Sequence, residues 1–94
     1  MTWRLRYDRR FMRQLEVLPG DVRGVARQQI KALATNPRPR RAKELDEHPG
    51  YLRAWLPRNY RLVWQILKDE NVIDLLYVGP KLPDLYDRIG LGRE

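Results

Sequence analysis

The sequence predicts a small α+β domain, and three observations carry that prediction. The chain opens on an alternating apolar–polar run, continues with two runs of helical apolar spacing, and then holds three short strand-forming runs in succession. The order β-α-α-β-β-β-α implies an antiparallel sheet with a helix pair packed on one face and a short C-terminal helix. With 94 residues, 1–94 is expected to form a single domain with one core.

Each element has a local cause. In "TWRLRY" (2–7), Trp3, Leu5 and Tyr7 alternate with Thr2, Arg4 and Arg6, the period of a half-buried strand. Asp8 is a candidate N-cap for a helix over 9–18, which places Phe11, Met12, Leu15 and Leu18 on one side. Pro19-Gly20 ends it, and Asp21 is a candidate cap for a second helix over 22–35 with Val22, Val25, Ala26, Ile30, Leu33 and Ala34 on its apolar stripe. The prolines of "NPRPRR" (36–41) stop that helix. An irregular basic connection then runs to Pro49-Gly50, with one turn of helix expected near 42–46. Strands are expected at 51–57, 60–67 and 72–78, with the polar loop "KDEN" (68–71) between the last two. Gly79-Pro80 closes the third, and 82–89 reads as a short helix.

Composition removes several function classes. The absence of cysteine excludes disulfides and thiolate metal sites, and a single histidine, His48, argues against a histidine zinc centre. His48 itself, beside Pro49-Gly50, reads as a solvated loop residue. No apolar run reaches membrane-spanning length and the first ten residues lack a signal-peptide centre, so a cytoplasmic protein without a membrane or cofactor requirement is expected. The net charge is +7, unevenly spread: residues 1–35 carry +5, 36–61 carry +4 and 62–94 carry −2. Most of the cations are arginines, whose planar fork suits phosphate. RNA, DNA or an acidic protein partner fits this surface, as does a basic surface with no partner at all.

Strand pairing locates one unusual residue. Arg61 stands inside the apolar run "NYRLVWQIL" (59–67). A hairpin closed by 68–71 sets Gln65 opposite Asp74, Val63 opposite Leu76 and Arg61 opposite Val78. A three-residue loop Pro57-Arg58-Asn59 would pair Trp55 with Arg61 and Arg53 with Val63; a two-residue loop would put Ala54 and Leu56 on the arginine's face. The first leaves Ala54, Leu56, Tyr60, Leu62, Trp64 and Ile66 together for the helix pair to cover. The other, more open face then carries Arg53, Trp55, Arg61, Gln65 and Asp74, with Lys81 at its end and Tyr86 able to fold over it. Two readings of that face remain. Arg61 pairs with Asp74 or Glu70 in ordinary sheet packing, or a basic cleft with aromatic platforms binds single-stranded nucleic acid.

The stretch "YLRAWLPRNYRLVWQILKDENVIDLLYVGPKLPDLYDRI" (51–89) resembles the C-terminal half of RelE/ParE-family toxins of bacterial type II toxin–antitoxin systems. The matching pieces are Arg53-Ala54, Tyr60-Arg61-Leu62-Val63, Val78-Gly79 followed by a basic residue, and a tyrosine in the last helix; "NPRPRR" and the element order extend the likeness over nearly the whole chain. The RelE-like branch implies a messenger-RNA interferase that cuts codons in the ribosomal A site without a metal. By position it assigns catalytic roles to Arg61, Lys81 and Tyr86 and an RNA contact to Arg53, to which the shared face adds Trp55 as an aromatic platform. The basic run Arg38, Arg40, Arg41 and Lys43 would face ribosomal RNA. Tyr86 would stack on a base or transfer a proton. The implied partners are a cognate antitoxin, the ribosome and its mRNA. Trp55 stands where relatives often carry a second cation, and Pro80 and Pro83 flank Lys81-Leu82, where basic and polar residues are common in active relatives. The resemblance therefore also admits a ParE-like inhibitor of DNA gyrase, or a catalytically silent homologue that only binds an antitoxin.

Overall fold

A computed structural model describes residues 2–91. Its elements are β1 (Arg4–Arg6), α1 (Arg9–Glu16), α2 (Gly20–Leu33), β2 (Lys43–Glu44), β3 (Tyr51–Leu56), β4 (Tyr60–Leu67), β5 (Val72–Pro80) and α3 (Leu85–Arg88). The five strands form one sheet in the order β1-β5-β4-β3-β2. Its neighbours are antiparallel except β1, which lies parallel to β5. The parallel pair follows from the helix hairpin, which carries the chain from β1 across one face before the meander returns.

α1 begins where expected, because the Asp8 carboxylate accepts from the Phe11 amide at 2.8 Å. Asp21 does not cap α2. Pro19, with φ −53° and ψ 146°, already sets the entry to the helix, which starts at Gly20. Asp21 falls in the first turn and pairs there with Arg58 at 3.1 Å. The helical turn expected near 42–46 is instead the short strand β2, paired with β3. Glu44 is held extended because its carboxylate accepts from the Gly50 amide (2.6 Å) and from Arg38 (3.1 Å). These donors hold the Glu44 carboxyl below the usual carboxylate range, the Gly50 amide first and Arg38 second.

The helix pair covers the face anticipated for it. Phe11, Leu15, Leu18, Val22, Ala26 and Leu33 pack on Leu52, Ala54, Leu56, Leu62, Trp64, Ile73, Leu75 and Val78, with Tyr60 and Ile66 at the margin. Trp64 is fully buried, and its indole N–H donates to the Pro37 carbonyl at 3.1 Å, which anchors the proline-rich connection.

The three-residue connection Pro57–Asn59 pairs Trp55 with Arg61 and Arg53 with Val63. The β4–β5 hairpin departs from simple pairing. Gln65 faces Asp74, but Val63 faces Tyr77 rather than Leu76, and Arg61 faces Gly79 rather than Val78, because the register slips between Val63 and Trp64. Strict alternation from Asp74 would send Val78 away from the helices and force the Tyr77 ring into them. The slip leaves Leu76 as the extra residue, so Ile73, Leu75 and Val78 all reach the helix-side core.

Candidate functional site

The second face of the sheet is not open. A smaller apolar cluster of Leu45, Val63, Tyr77, Leu85 and Tyr86 covers its centre, with Tyr51, Leu76, Leu82, Ile89 and Leu91 packed around it. The chain after β5 turns back through Leu82, and α3 lays Leu85 and Tyr86 on the sheet. The apolar spacing of Leu82, Leu85 and Ile89 is the signal in the sequence for this cover.

Arg61 lies at the edge of that cover and is only 4% exposed. Its guanidinium carbon sits 3.9 Å from the centre of the Trp55 ring, and one terminal nitrogen donates to the Tyr86 hydroxyl at 2.5 Å. Trp55 is half exposed and forms the outer wall, whereas Tyr86 is buried. The Arg61 Nε is buried without a hydrogen-bond partner, and no carboxylate pairs with Arg61 among the described residues. The ordinary ion-pair reading of Arg61 fails on a specific ground. Asp74 and Glu70 are both engaged by Arg6 on the neighbouring strand, at 3.3 and 3.7 Å.

Lys81 joins the group from the exit of β5. Its ammonium lies 5.4 Å from the centre of the Tyr86 ring and donates to the Leu82 carbonyl at 3.2 Å. Its backbone amide donates to the Asn59 carbonyl, which ties the exit to the β3–β4 connection. Arg53 is opposite Val63 and Lys43 is opposite Arg53, so both cations share the face of Arg61. The remaining loop cations diverge. Arg38 is paired with Glu44, Arg40 is exposed, and Arg41 lines a crevice with Leu33, Leu62 and Trp64 on the helix side.

Tyr77, which sequence reasoning passed over, shapes this site together with Gly79. The Tyr77 hydroxyl donates to the Pro80 carbonyl at 2.6 Å, holding the segment that presents Lys81. A Cβ on Gly79 would stand 2.8 Å from that hydroxyl, so the glycine is required by the tyrosine beside it. Burial pushes the Tyr77 phenol above its ordinary pKa. The unequal apolar spacing of Ile73, Leu75 and Val78 is the trace of this arrangement in the sequence. His48 is half-buried and packs edge-on against Tyr51, with ring centres 6.0 Å apart. Among the described residues no group of histidine, aspartate or glutamate side chains could hold a metal ion.

The site is therefore a cation cluster held by aromatic rings on an antiparallel sheet, suited to holding an anion. No protein-family profile matches the chain, and no curated protein matches it. Solved structures do. A two-site mutant of Escherichia coli toxin RelE in the free state is 24% identical, with 93% of each chain covered and a TM-score of 0.77. A chain of the intact E. coli RelBE toxin–antitoxin complex is 25% identical over 85% of this chain and 98% of that one, with a TM-score of 0.73. The archaeal RelE–RelB complex from Pyrococcus horikoshii gives 20% identity, 85% and 96% coverage and a TM-score of 0.68. The chain has the RelE toxin fold.

Proposed function

We propose that this protein is the toxin of a bacterial type II toxin–antitoxin pair, and that it acts in the cytoplasm as an endoribonuclease on ribosome-bound mRNA. The observation that carries the reading is the state of Arg61: a buried guanidinium in contact with Trp55 and Tyr86, with no carboxylate partner among the described residues and an unused Nε donor. A buried donor without an acceptor costs about 1–3 kcal/mol, and a phosphate oxygen would satisfy it. The solved relatives named as RelE toxins, two of them in RelB complexes, support the toxin assignment and an antitoxin partner.

In the proposed reaction the ribose 2′-oxygen attacks the adjacent phosphorus and loses its proton. The bond from phosphorus to the 5′-oxygen breaks, and that oxygen takes up a proton. Negative charge builds on the non-bridging oxygens, where Arg61 and Lys81 stabilise it. Tyr86 contacts both cations; it transfers one of these protons or stacks on a base. Arg53, Trp55 and Lys43 extend the binding face, and the exposed Arg40, with Arg38 and Arg41 diverging from it, would meet ribosomal RNA outside that face. The cognate antitoxin would be an acidic or amphipathic segment that folds on this surface.

One observation favours a second reading. Arg61 is 4% exposed, so a phosphate reaches it only if Tyr86 or Trp55 gives way. A protein that never opens this site would act by binding, as a ParE-like inhibitor of DNA gyrase or as a silent antitoxin-binding homologue. Brief expression of wild type, Arg61→Ala and Lys81→Ala, with mapping of mRNA 5′ ends on ribosomes, separates these. Codon-positioned cuts that disappear in both variants are expected. Arrest with DNA damage and intact mRNA would point to gyrase, and absence of toxicity to the silent homologue.

A further inference from the structure

A second cleft lies across the end of the sheet, between α1 and the segment that leads into α3. It encloses about 380 Å³, bounded by Leu18, Val78 and Ile89, with Gln14, Tyr60 and Arg10 supplying polar groups. We infer that this cleft binds a nucleobase adjoining the phosphate held at Arg61 and Lys81. The inference rests on the RNA-directed reading above and adds a subsite to it.

Three features argue for a base. The walls are mainly apolar with a few convergent hydrogen-bonding groups, the usual make-up of a site for a planar heterocycle. Gln14 has its carbonyl oxygen occupied by the Val78 amide at 3.2 Å, which orients its NH₂ group as the donor that remains. Tyr60, partly exposed in the wall, offers the ring on which a base can stack, whereas Tyr77 is buried with its hydroxyl donating to the Pro80 carbonyl.

The charge is of the right sign. No carboxylate lines the cleft among the described residues. Arg88 at its rim is balanced by Asp84 at 2.9 Å, whereas Arg10 forms no ion pair among the described residues. A cation beside an apolar, partly aromatic cleft is what a single strand requires: the cation follows the backbone and the ring takes the base.

The cleft also adjoins the phosphate site around the end of the sheet. Tyr60 pairs with Pro80 in the rung next to Arg61 and Gly79, and Leu82 in the wall follows Lys81. Successive strand residues are about 3.4 Å apart, so a strand anchored by a phosphate at Lys81 can place its neighbouring base in the cleft.

The test is titration of the full chain with an RNA trinucleotide made uncleavable by 2′-deoxy sugars at its first and central residues, followed by amide NMR shifts. Shifts are expected at Arg10, Val17 and Leu18 as well as at Lys81. Two exposed substitutions outside the Arg61 group, Arg10→Glu and Val17→Trp at the mouth of the cleft, should each weaken binding about fivefold or more, the value of one stacked base. Shifts confined to Trp55 and Lys81, with both variants binding as wild type, would overturn the subsite and leave the nuclease reading intact. Cleft shifts with an all-ribose message left uncut on ribosomes would overturn the nuclease and leave the subsite. No binding at either place would overturn the subsite, and the mapping of cuts on ribosomes decides the nuclease reading separately.

Discussion

Arg61 and Tyr86, separated by 25 positions in the chain, meet in the interior, where the guanidinium donates to the phenol oxygen. One comes from the centre of the sheet and the other from the last helix. The bond closes α3 over the sheet and places a cation beside a phenol whose ring centre lies 5.4 Å from the Lys81 ammonium. It makes stability and the proposed chemistry depend on the same side chain.

That dependence can be measured. Arg61→Lys keeps the charge but loses the fork that reaches Tyr86 and stacks on Trp55, so it should destabilise by about 1–3 kcal/mol. Arg61→Met retains length and apolar contact without a buried cation. Urea unfolding should find it no less stable than Arg61→Lys, since removing a buried charge removes its desolvation cost. In cells, all three of Arg61→Ala, Arg61→Lys and Arg61→Met should reduce mRNA cleavage, Arg61→Ala by about 10²–10³-fold.

Trp55 is the outer wall of the arginine site. Trp55→Ala should lower unfolding free energy by about 0.5–2 kcal/mol through loss of the cation–π contact, and Trp55→Phe should recover part of it. An Arg61→Met background should abolish the difference between Trp55→Phe and an aliphatic residue of similar size. If the difference persists there, the contact is ordinary packing.

Gly79 and Tyr77 form a steric pair. Gly79→Ala places a methyl 2.8 Å from the Tyr77 hydroxyl, which cannot move without breaking its bond to the Pro80 carbonyl. A loss of about 1–3 kcal/mol is expected, with a change in the Lys81 amide resonance. In a Tyr77→Ala background the same substitution should cost little, and the double-mutant cycle reports the coupling directly.

The two pKa shifts give opposite pH limits. Tyr77 is raised above its ordinary value of 10.0 in the fold, so its contribution is fully present below that value and is lost as pH rises through the folded one. The urea midpoint should fall on the alkaline side, less steeply in Tyr77→Phe. Glu44 is lowered below 4.5, so its contribution is present above that value and is lost as pH falls through the folded one. The Gly50 amide resonance should titrate below pH 4.5, and Glu44→Gln should remove that inflection.

Much of this is legible in the sequence. Alternation in 2–7, the apolar stripes of the two helices and the register of the β3–β4 hairpin all follow from local patterns, because backbone geometry fixes which neighbours share a face. The convergence of Arg53, Trp55 and Arg61 on one face followed from that register. The slip at Val63/Trp64 did not, since two apolar residues in a row, Leu75-Leu76, satisfy either register until the cores on both faces must be filled.

What the sequence determined by itself was the order of every element except β2, the face of Arg61 and the cationic character of the surface, each a consequence of periodicity or composition. Only the tertiary structure decided that Asp74 and Glu70 belong to Arg6, that Tyr77 claims the space beside Gly79, and that Tyr86 closes over Arg61. Those outcomes depend on which distant side chains compete for one volume or one charge, and local patterns do not settle such competition.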